Sequence, residues 1–305
     1  MSLDDFETET HHFSSTVSVA LSHRRRNACL LSSQADATGL MSWRAGTLLS
    51  AYLVAHDALL LKGKRIVELG CGSALLSCVA VACGCAEAVA TDSSDEVLAL
   101  ALRNLSQNSS GKGPECGGSS SFRTAKLVWG EQGSALGVFD IALAAEVFYH
   151  HRGGKEGNSI EDQARALFST ALSSLLPACT CSASAGGCSA GGCSAGLLLL
   201  TYTPRYPGMA RALRAAAASL GIYLQTLDRR AALTPSLQET NYFCDTRLLC
   251  ASACSAALDA HVRTLGSPPQ APREEDSDWE DEDCKEWVVR ESQTPMGVSD
   301  CSLFS

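Results

Sequence analysis

No apolar run in this 305-residue chain approaches the ~20 residues that a membrane-spanning helix needs. The run at 196–202 is long enough only for a strand. The opening stretch MSLDDFETET is acidic and polar, and lacks the apolar centre of a secretory leader. A global positive charge is missing too: the formal net charge is −9, so no broad basic field favours nucleic acid. The short basic run Arg24-Arg25-Arg26 reads as a solvated turn. These gaps give three expectations: no membrane, no nucleic acid, and residence in the cytoplasm or the nucleus.

Cysteine, by contrast, is abundant, with 15 in the chain. A secreted disulfide framework would be the first thought. The polar start opposes it, and so do the apolar surroundings of Cys78, Cys83 and Cys85, where a thiol acts as a small hydrophobe. Reduced thiols are the expectation. Hydrophobic residues make up 46% and charged residues 19%, which places the chain among globular proteins. Its acidity is concentrated. Residues 273–286 hold nine acids against Arg273 and Lys285, so most of the net charge sits there.

Hydrophobic periodicity divides the chain into an N-terminal arm (1–36), a main domain (37–265) with a low-complexity Cys/Gly/Ser insert at 178–196, and an acidic, disordered tail (266–305). Within the arm, the alternation Thr16-Val17-Ser18-Val19-Ala20-Leu21 predicts a strand or hairpin. Leu48, Leu49, Tyr52, Leu53 and Ala55 give one helix its apolar face. Arg65-Ile66-Val67-Glu68-Leu69 is a strand that runs into Gly70-Cys71-Gly72. Ser73 is expected to cap a helix that reaches about residue 83. A second strand ends at Asp92. A helix follows over 95–107, with Val97, Leu98, Leu102 and Leu105 facing inward. Further strands are expected at 122–129, 139–145, 197–203, 222–227 and 243–251, and further helices at 160–177 and 209–220. This alternation predicts an α/β, Rossmann-like fold: a seven-stranded, mostly parallel sheet, helices on both faces and an antiparallel edge strand.

The turn after the first sheet strand carries the chemistry. In a doubly wound fold the ligand sits beyond the carboxyl ends of the strands, and two glycines let the backbone approach it. The dinucleotide fingerprint G-x-G-x-x-G/A fails, because Leu75 stands where the third small residue belongs. Glu68 lies two residues before Gly70, where an acid would repel a pyrophosphate. It suits instead the ammonium and sulfonium of S-adenosyl-L-methionine. Asp92 follows Gly70 by 22 residues, where an acid either accepts ribose hydroxyls or caps the next turn. The pair His150-His151 has no partner at metal-ligand spacing, and Cys179, Cys181, Cys188 and Cys193 lie in the repetitive insert, so no metal is expected.

Five segments occur in a familiar order: Thr38-Gly39-Leu40-Met41-Ser42-Trp43, Val67-Glu68-Leu69-Gly70-Cys71-Gly72, Thr91-Asp92, Trp129-Gly130, and Phe139-Asp140-Ile141 with Ala145-Glu146-Val147-Phe148-Tyr149. Over residues 36–255 the chain resembles the seven-β-strand protein lysine methyltransferases, the eukaryotic family 16. The resemblance implies that Trp43 lines the cofactor pocket and that Gly70, Cys71 and Gly72 hold the methionine end. It also implies that Asp92 takes the ribose, Trp129 stands by the adenine and Ala145 faces the cofactor. Glu146 and Tyr149 correspond to the D/E-x-x-Y signature that borders the target amine.

Two departures stand out. Ala74 replaces a glycine usual in the family, and its fit to a helix predicts a less adaptable loop with binding retained. Glu146 replaces a common aspartate, which moves the carboxylate out by one methylene. The expected activity is transfer of a methyl group from S-adenosyl-L-methionine to a lysine of a non-histone protein, by a monomer, with Glu146 and Tyr149 orienting the amine. The rival readings are an arginine or small-molecule methyltransferase, and a non-catalytic binding module that uses the acidic tail.

Overall fold

The computed structural model describes residues 6–25, 38–109, 120–130, 133–149, 159–177, 195–205, 207–228 and 246–265. The repetitive Cys/Gly/Ser segment through 194, His150-His151, the four cysteines considered for zinc and the acidic tail lie outside the described residues.

The arm folds as a hairpin: β1 (Phe6–His12) pairs antiparallel with β2 (Ser18–Arg24). After a 3-10 turn at Thr38–Leu40 come α1 (Arg44–Ala55) and the short α2 (Asp57–Leu60). The alternating part runs β3 (Arg65–Leu69), α3 (Leu75–Ala82), β4 (Glu87–Asp92), α4 (Asp95–Ser109), β5 (Ser121–Lys126) and β6 (Ile141–Ala145). It continues through α5 (Ile160–Ser174), β7 (Leu197–Tyr202), α6 (Met209–Ser219), β8 (Tyr223–Thr226), β9 (Arg247–Ser252) and α7 (Ser255–Thr264).

Among the described residues, seven strands form one sheet in the order β5-β4-β3-β6-β7-β9-β8. The first five are parallel. The strand that opposes them is β9, one place in from the edge, and the edge strand β8 pairs antiparallel with it. Its insertion between β7 and β8 has no signature in the hydrophobic pattern.

Side-chain alternation along the strands serves two faces. Ile66, Ala88, Ala90, Ile141, Leu143, Leu197 and Leu199 pack with α1, α3, α4, α7 and the hairpin, whose Val19 and Leu21 are wholly buried. Val67, Leu69, Val89, Ala142, Ala144, Leu198 and Leu200 pack with α5 and α6. Both faces are covered, so the inner strands read as near-continuous apolar runs. Glu68 breaks that run.

Several local expectations change. Ser73 does not cap α3. The residue before the helix is Ala74, which holds a left-handed backbone at φ 63° with no side-chain cap. Leu102 is exposed, and α4 turns Leu100, Ala101 and the polar Asn104 inward instead. Asn104 is drawn in by hydrogen bonds rather than apolar contact: it bonds to both the N–H and the C=O of Ser22 and to the Ser73 carbonyl, each at 2.9 Å. The final helix α7 forms over a stretch for which the sequence reading gives no helix.

Candidate active site

Chain order reverses between β3 and β6. The chain steps outward from β3 through β4 to β5, then crosses to the other side of β3. Loops leaving the carboxyl ends on either side of such a switch point diverge and open a crevice. A cavity of about 360 Å³ lies there. Trp43, Glu68, Gly70, Cys71, Gly72, Asp92, Trp129, Ala145, Glu146 and Tyr149 all line it. So do residues to which the sequence reading gives no role in the site, among them Thr38, Gly46, Val97, Val128 and Gln163. No lysine, arginine or histidine lines it among the described residues.

The glycine turn is compact because its neighbours leave no space for side chains. Gly70 has φ +72°, and a Cβ there would stand 3.0 Å from both the Trp129 ring and a Val147 methyl. Gly72 has φ +50°, and its Cβ would meet the Gly39 carbonyl oxygen at 3.1 Å. The Thr38-Gly39 segment therefore lies directly on the turn. Gly39 is itself pressed against Val97, where a Cβ would stand 2.9 Å from a methyl. Trp129 lies beyond the end of β5, with its ring over Gly70.

Glu68 is buried on the α3 side of β3. One carboxyl oxygen accepts the Ser77 backbone N–H at 2.9 Å and the Ser77 hydroxyl. It thus closes the α3 N-terminus in place of Ser73. Burial pushes its carboxyl up to about 7, against the pull of the Ser77 and Leu76 hydrogen bonds, with Asp92 adding to the rise. Cys71 and Cys78 are buried thiols whose pKa values are raised by the same desolvation. They are not nucleophiles at neutral pH. Asp92 accepts the Gly72 N–H at 3.3 Å and the Ser94 N–H at 3.1 Å, so it shapes the turn while facing the cavity.

The opposite wall comes from the end of β6. Ala145 packs toward Gly46 of α1. Glu146 takes a left-handed backbone at φ 54°, uncommon outside glycine, and its N–H bonds the Thr201 carbonyl at 2.9 Å. Its side chain is 5% exposed. The Thr203 hydroxyl donates to one carboxylate oxygen, and Arg205 meets the other at 3.3 Å. The Arg205 guanidinium also lies 5.0 Å from the centroid of the Trp43 ring. Trp43 is fixed in turn by its indole N–H, which donates to the Thr38 carbonyl at 3.0 Å. The Thr38 hydroxyl lies 3.2 Å from the Tyr149 hydroxyl. Arg205 and Thr203 carry no motif. They reach Glu146 only because β6 and β7 are neighbours in the sheet.

The residues fit a cationic nucleoside cofactor. Three acidic side chains, Glu68, Asp92 and Glu146, line a cavity that no lysine, arginine or histidine lines among the described residues. The glycine cradle has no space for side chains, and Trp129, Val128 and Val97 offer an apolar wall. Among the described residues, no group of three or more histidine, cysteine or acidic side chains stands where it could hold a metal ion.

The family model for ribosomal protein L11 methyltransferase (PrmA) matches residues 47–117, which take in most of α1, the glycine turn and Asp92. The chain is 31% identical over 129 residues to the protein N-terminal and lysine N-methyltransferase EFM7 of Yarrowia lipolytica, covering 37% of this chain and 47% of that protein. The protein of the same description from Emericella nidulans is 29% identical over 140 residues, covering 42% and 52%. The chain thus spans about half the length of the curated relatives it matches. A solved structure described as a candidate methyltransferase complexed with SAH superposes with a TM-score of 0.50 at 14% identity, covering 81% of this chain and 56% of that one. The chain shares that structure's Rossmann-like α/β fold.

Proposed function

We propose that this chain is an S-adenosyl-L-methionine-dependent methyltransferase whose acceptor is an amine on a protein, a lysine side chain. One observation carries the reading: the glycine turn, Glu68, Asp92 and the Glu146–Tyr149 segment converge on one cavity at the switch point of the sheet. The names of the relatives, protein N-terminal and lysine N-methyltransferases, support the substrate class.

The bound cofactor supplies an activated methyl group. The chain's own residues then have three tasks. Gly70, Cys71 and Gly72 cradle the methionine end, while Asp92 accepts the ribose hydroxyls and Trp129 walls the adenine. Trp43 and Ala145 line the path between cofactor and acceptor. Glu146 and Tyr149 orient the amine, whose lone pair must point along the methyl–sulfur axis.

A lysine amine has an ordinary pKa of about 10.4 and must shed a proton before it attacks. An unpaired carboxylate beside it would hold the ammonium form. Arg205 offsets the Glu146 charge, so the acceptor wall can receive a neutral amine without that penalty.

Calorimetric titration with S-adenosylhomocysteine tests the cofactor half. Micromolar binding that Asp92→Ala abolishes is expected, and a folded chain that binds nothing would refute it. Labelled methyl transfer into lysate, followed by acid hydrolysis, tests the acceptor half. Methyl-lysine in the hydrolysate supports the reading, whereas label on an α-amine, an arginine or a small molecule would replace the acceptor.

A further inference from the structure

The acceptor wall already holds a cation, and that cation belongs to the protein. The Arg205 guanidinium meets one Glu146 oxygen at 3.3 Å and lies 5.0 Å from the centroid of the Trp43 ring. The other Glu146 oxygen accepts the Thr203 hydroxyl, which in turn lies 3.3 Å from the Thr246 hydroxyl. The Glu146 side chain is 5% exposed, so water screens little of its charge. Glu146 and Trp43 both line the cavity, whereas Arg205 is not among its lining residues and reaches them from outside it. A carboxylate beside an aromatic face attracts ammonium ions, quaternary ones included. Here both groups are engaged by the chain itself.

Methyl transfer carries a positive charge to this wall. The amine lone pair forms the new N–C bond, and the C–S bonding pair stays on sulfur. The sulfonium becomes a neutral thioether, and the nitrogen leaves the step as an ammonium. The acceptor thus arrives neutral and the product forms as a cation. A bare carboxylate against the Trp43 ring would favour the wrong species at both stages. It would collect protonated lysine, which has no lone pair to attack with, and it would retain the ammonium product.

We propose that Arg205 is a positioning residue that takes the place of an ammonium ion between Glu146 and Trp43, so that the acceptor wall receives the amine as a neutral base and lets the ammonium product leave. This rests on the lysine-methyltransferase reading and extends it to release of the methylated protein. Arg205 touches neither reacting atom. It acts through the two cavity residues that it holds, fixing the Glu146 carboxylate from one side and covering the Trp43 ring from the other. Glu146 keeps lone pairs that can accept a hydrogen bond from the amine, while its net attraction for a full positive charge is offset.

Tetramethylammonium tests the ammonium position alone, because it carries its charge at every pH and has no proton to give. The full chain is saturated with S-adenosylhomocysteine and titrated with tetramethylammonium chloride at constant ionic strength. Saturation-transfer NMR on the methyl protons of the ion reports binding. The wild-type chain is expected to give no saturable signal. Arg205→Ala should bind the ion saturably and at least about tenfold more tightly than wild type. Combining it with Glu146→Gln should remove that gain, and Arg205→Lys, which restores a cation, should behave as wild type. A merely structural Arg205 would produce no such gain in any variant. Arg205→Gln, also neutral but able to donate to Glu146, gives the same test if the alanine variant does not fold. Equal binding of the ion by wild type and the neutral variants would overturn the inference, and methyl-lysine formed by the wild-type chain in lysate would still stand for the reading. A folded wild-type chain that binds no S-adenosylhomocysteine, or places no label on lysine, would overturn both.

Discussion

Arg205 meets Glu146 at 3.3 Å from the far side of the cavity wall while its guanidinium lies over the Trp43 ring. One cation thus joins the wall proposed for the acceptor to the wall proposed for the cofactor. Arg205→Met would leave a nearly buried carboxylate held by the Thr203 hydroxyl alone. The expected cost is about 1–3 kcal/mol in denaturant unfolding, because an uncompensated charge is left behind. Adding Glu146→Gln to that variant should recover part of the loss. A double variant whose destabilisation equals the sum of the two single ones would show that the pair does not interact.

Gly70 and Gly84 share a left-handed backbone, at φ +72° and +81°, but not their surroundings. A methyl group at Gly84 meets nothing within 4 Å, so Gly84→Ala should cost only the backbone strain, about 1–2 kcal/mol. Gly70→Ala adds a clash with Trp129 and Val147 at 3.0 Å. It should cost more in stability and weaken S-adenosylhomocysteine binding at least about tenfold by moving the Trp129 ring. Equal binding by the two variants would contradict the cradle.

The cavity was legible in the sequence because its parts lie next to turns. The strand Arg65–Leu69 announces itself by its apolar run, and Gly70 and Gly72 punctuate it. Asp92 and Glu146 are read simply as the acids at which strands end. What stayed hidden depends on tertiary neighbours. Arg205 finds Glu146 through the pairing of β6 with β7, which local spacing cannot reveal. Asn104 counts as polar in any periodic reading, yet it is wholly buried because β2 brings an unpaired peptide edge to it. Leu102 counts as core by type and points outward.

The sequence reading fits Ala74 to a helix and predicts a less adaptable loop; the structure places it just before α3 with φ 63°. A left-handed alanine costs roughly 1–2 kcal/mol relative to its ordinary conformations, a strain glycine does not feel. Ala74→Gly should therefore leave stability unchanged or raise it by up to about 1 kcal/mol, despite the lost methyl. Ala80→Gly, equally buried but within α3, should lower it by about 1 kcal/mol. Thermal unfolding of the two variants checks the sign, and a clear loss in Ala74→Gly would remove the strain argument.

Glu68 makes stability depend on pH in a direction unusual for an acid. Its carboxyl is raised from 4.5 to about 7 in the folded chain. Between those values the folded state binds more protons than the unfolded one. Its contribution to stability is therefore complete below 4.5 and is lost as pH rises through 7. Glu68→Gln cannot titrate and escapes that loss. The variant's stability relative to wild type should thus rise by roughly 2–3 kcal/mol from pH 5 to pH 8. Parallel urea denaturation at the two pH values measures this, and a constant difference would mean that the carboxyl titrates in its ordinary range.

Asn104 ties the N-terminal hairpin to the glycine turn, since its side-chain amide bonds to both backbone groups of Ser22 and to the Ser73 carbonyl. Asn104→Ala strands those groups without partners in a buried site, for an expected loss of about 2–4 kcal/mol. Asn108→Ala is the natural comparison. Asn108 makes the same paired contact with the N–H and C=O of Ala20, but in a part-buried place that water can reach, so about 1 kcal/mol is expected. The two variants should also differ in the cavity. The Asn104 change frees the Ser73 carbonyl beside Gly72 and should weaken S-adenosylhomocysteine binding, whereas the Asn108 change should leave it near wild type. Hydrogen exchange at the Ser22 amide, followed together with ligand affinity, separates the two effects. Faster exchange with unaltered affinity would mean that the hairpin is anchored independently of the turn.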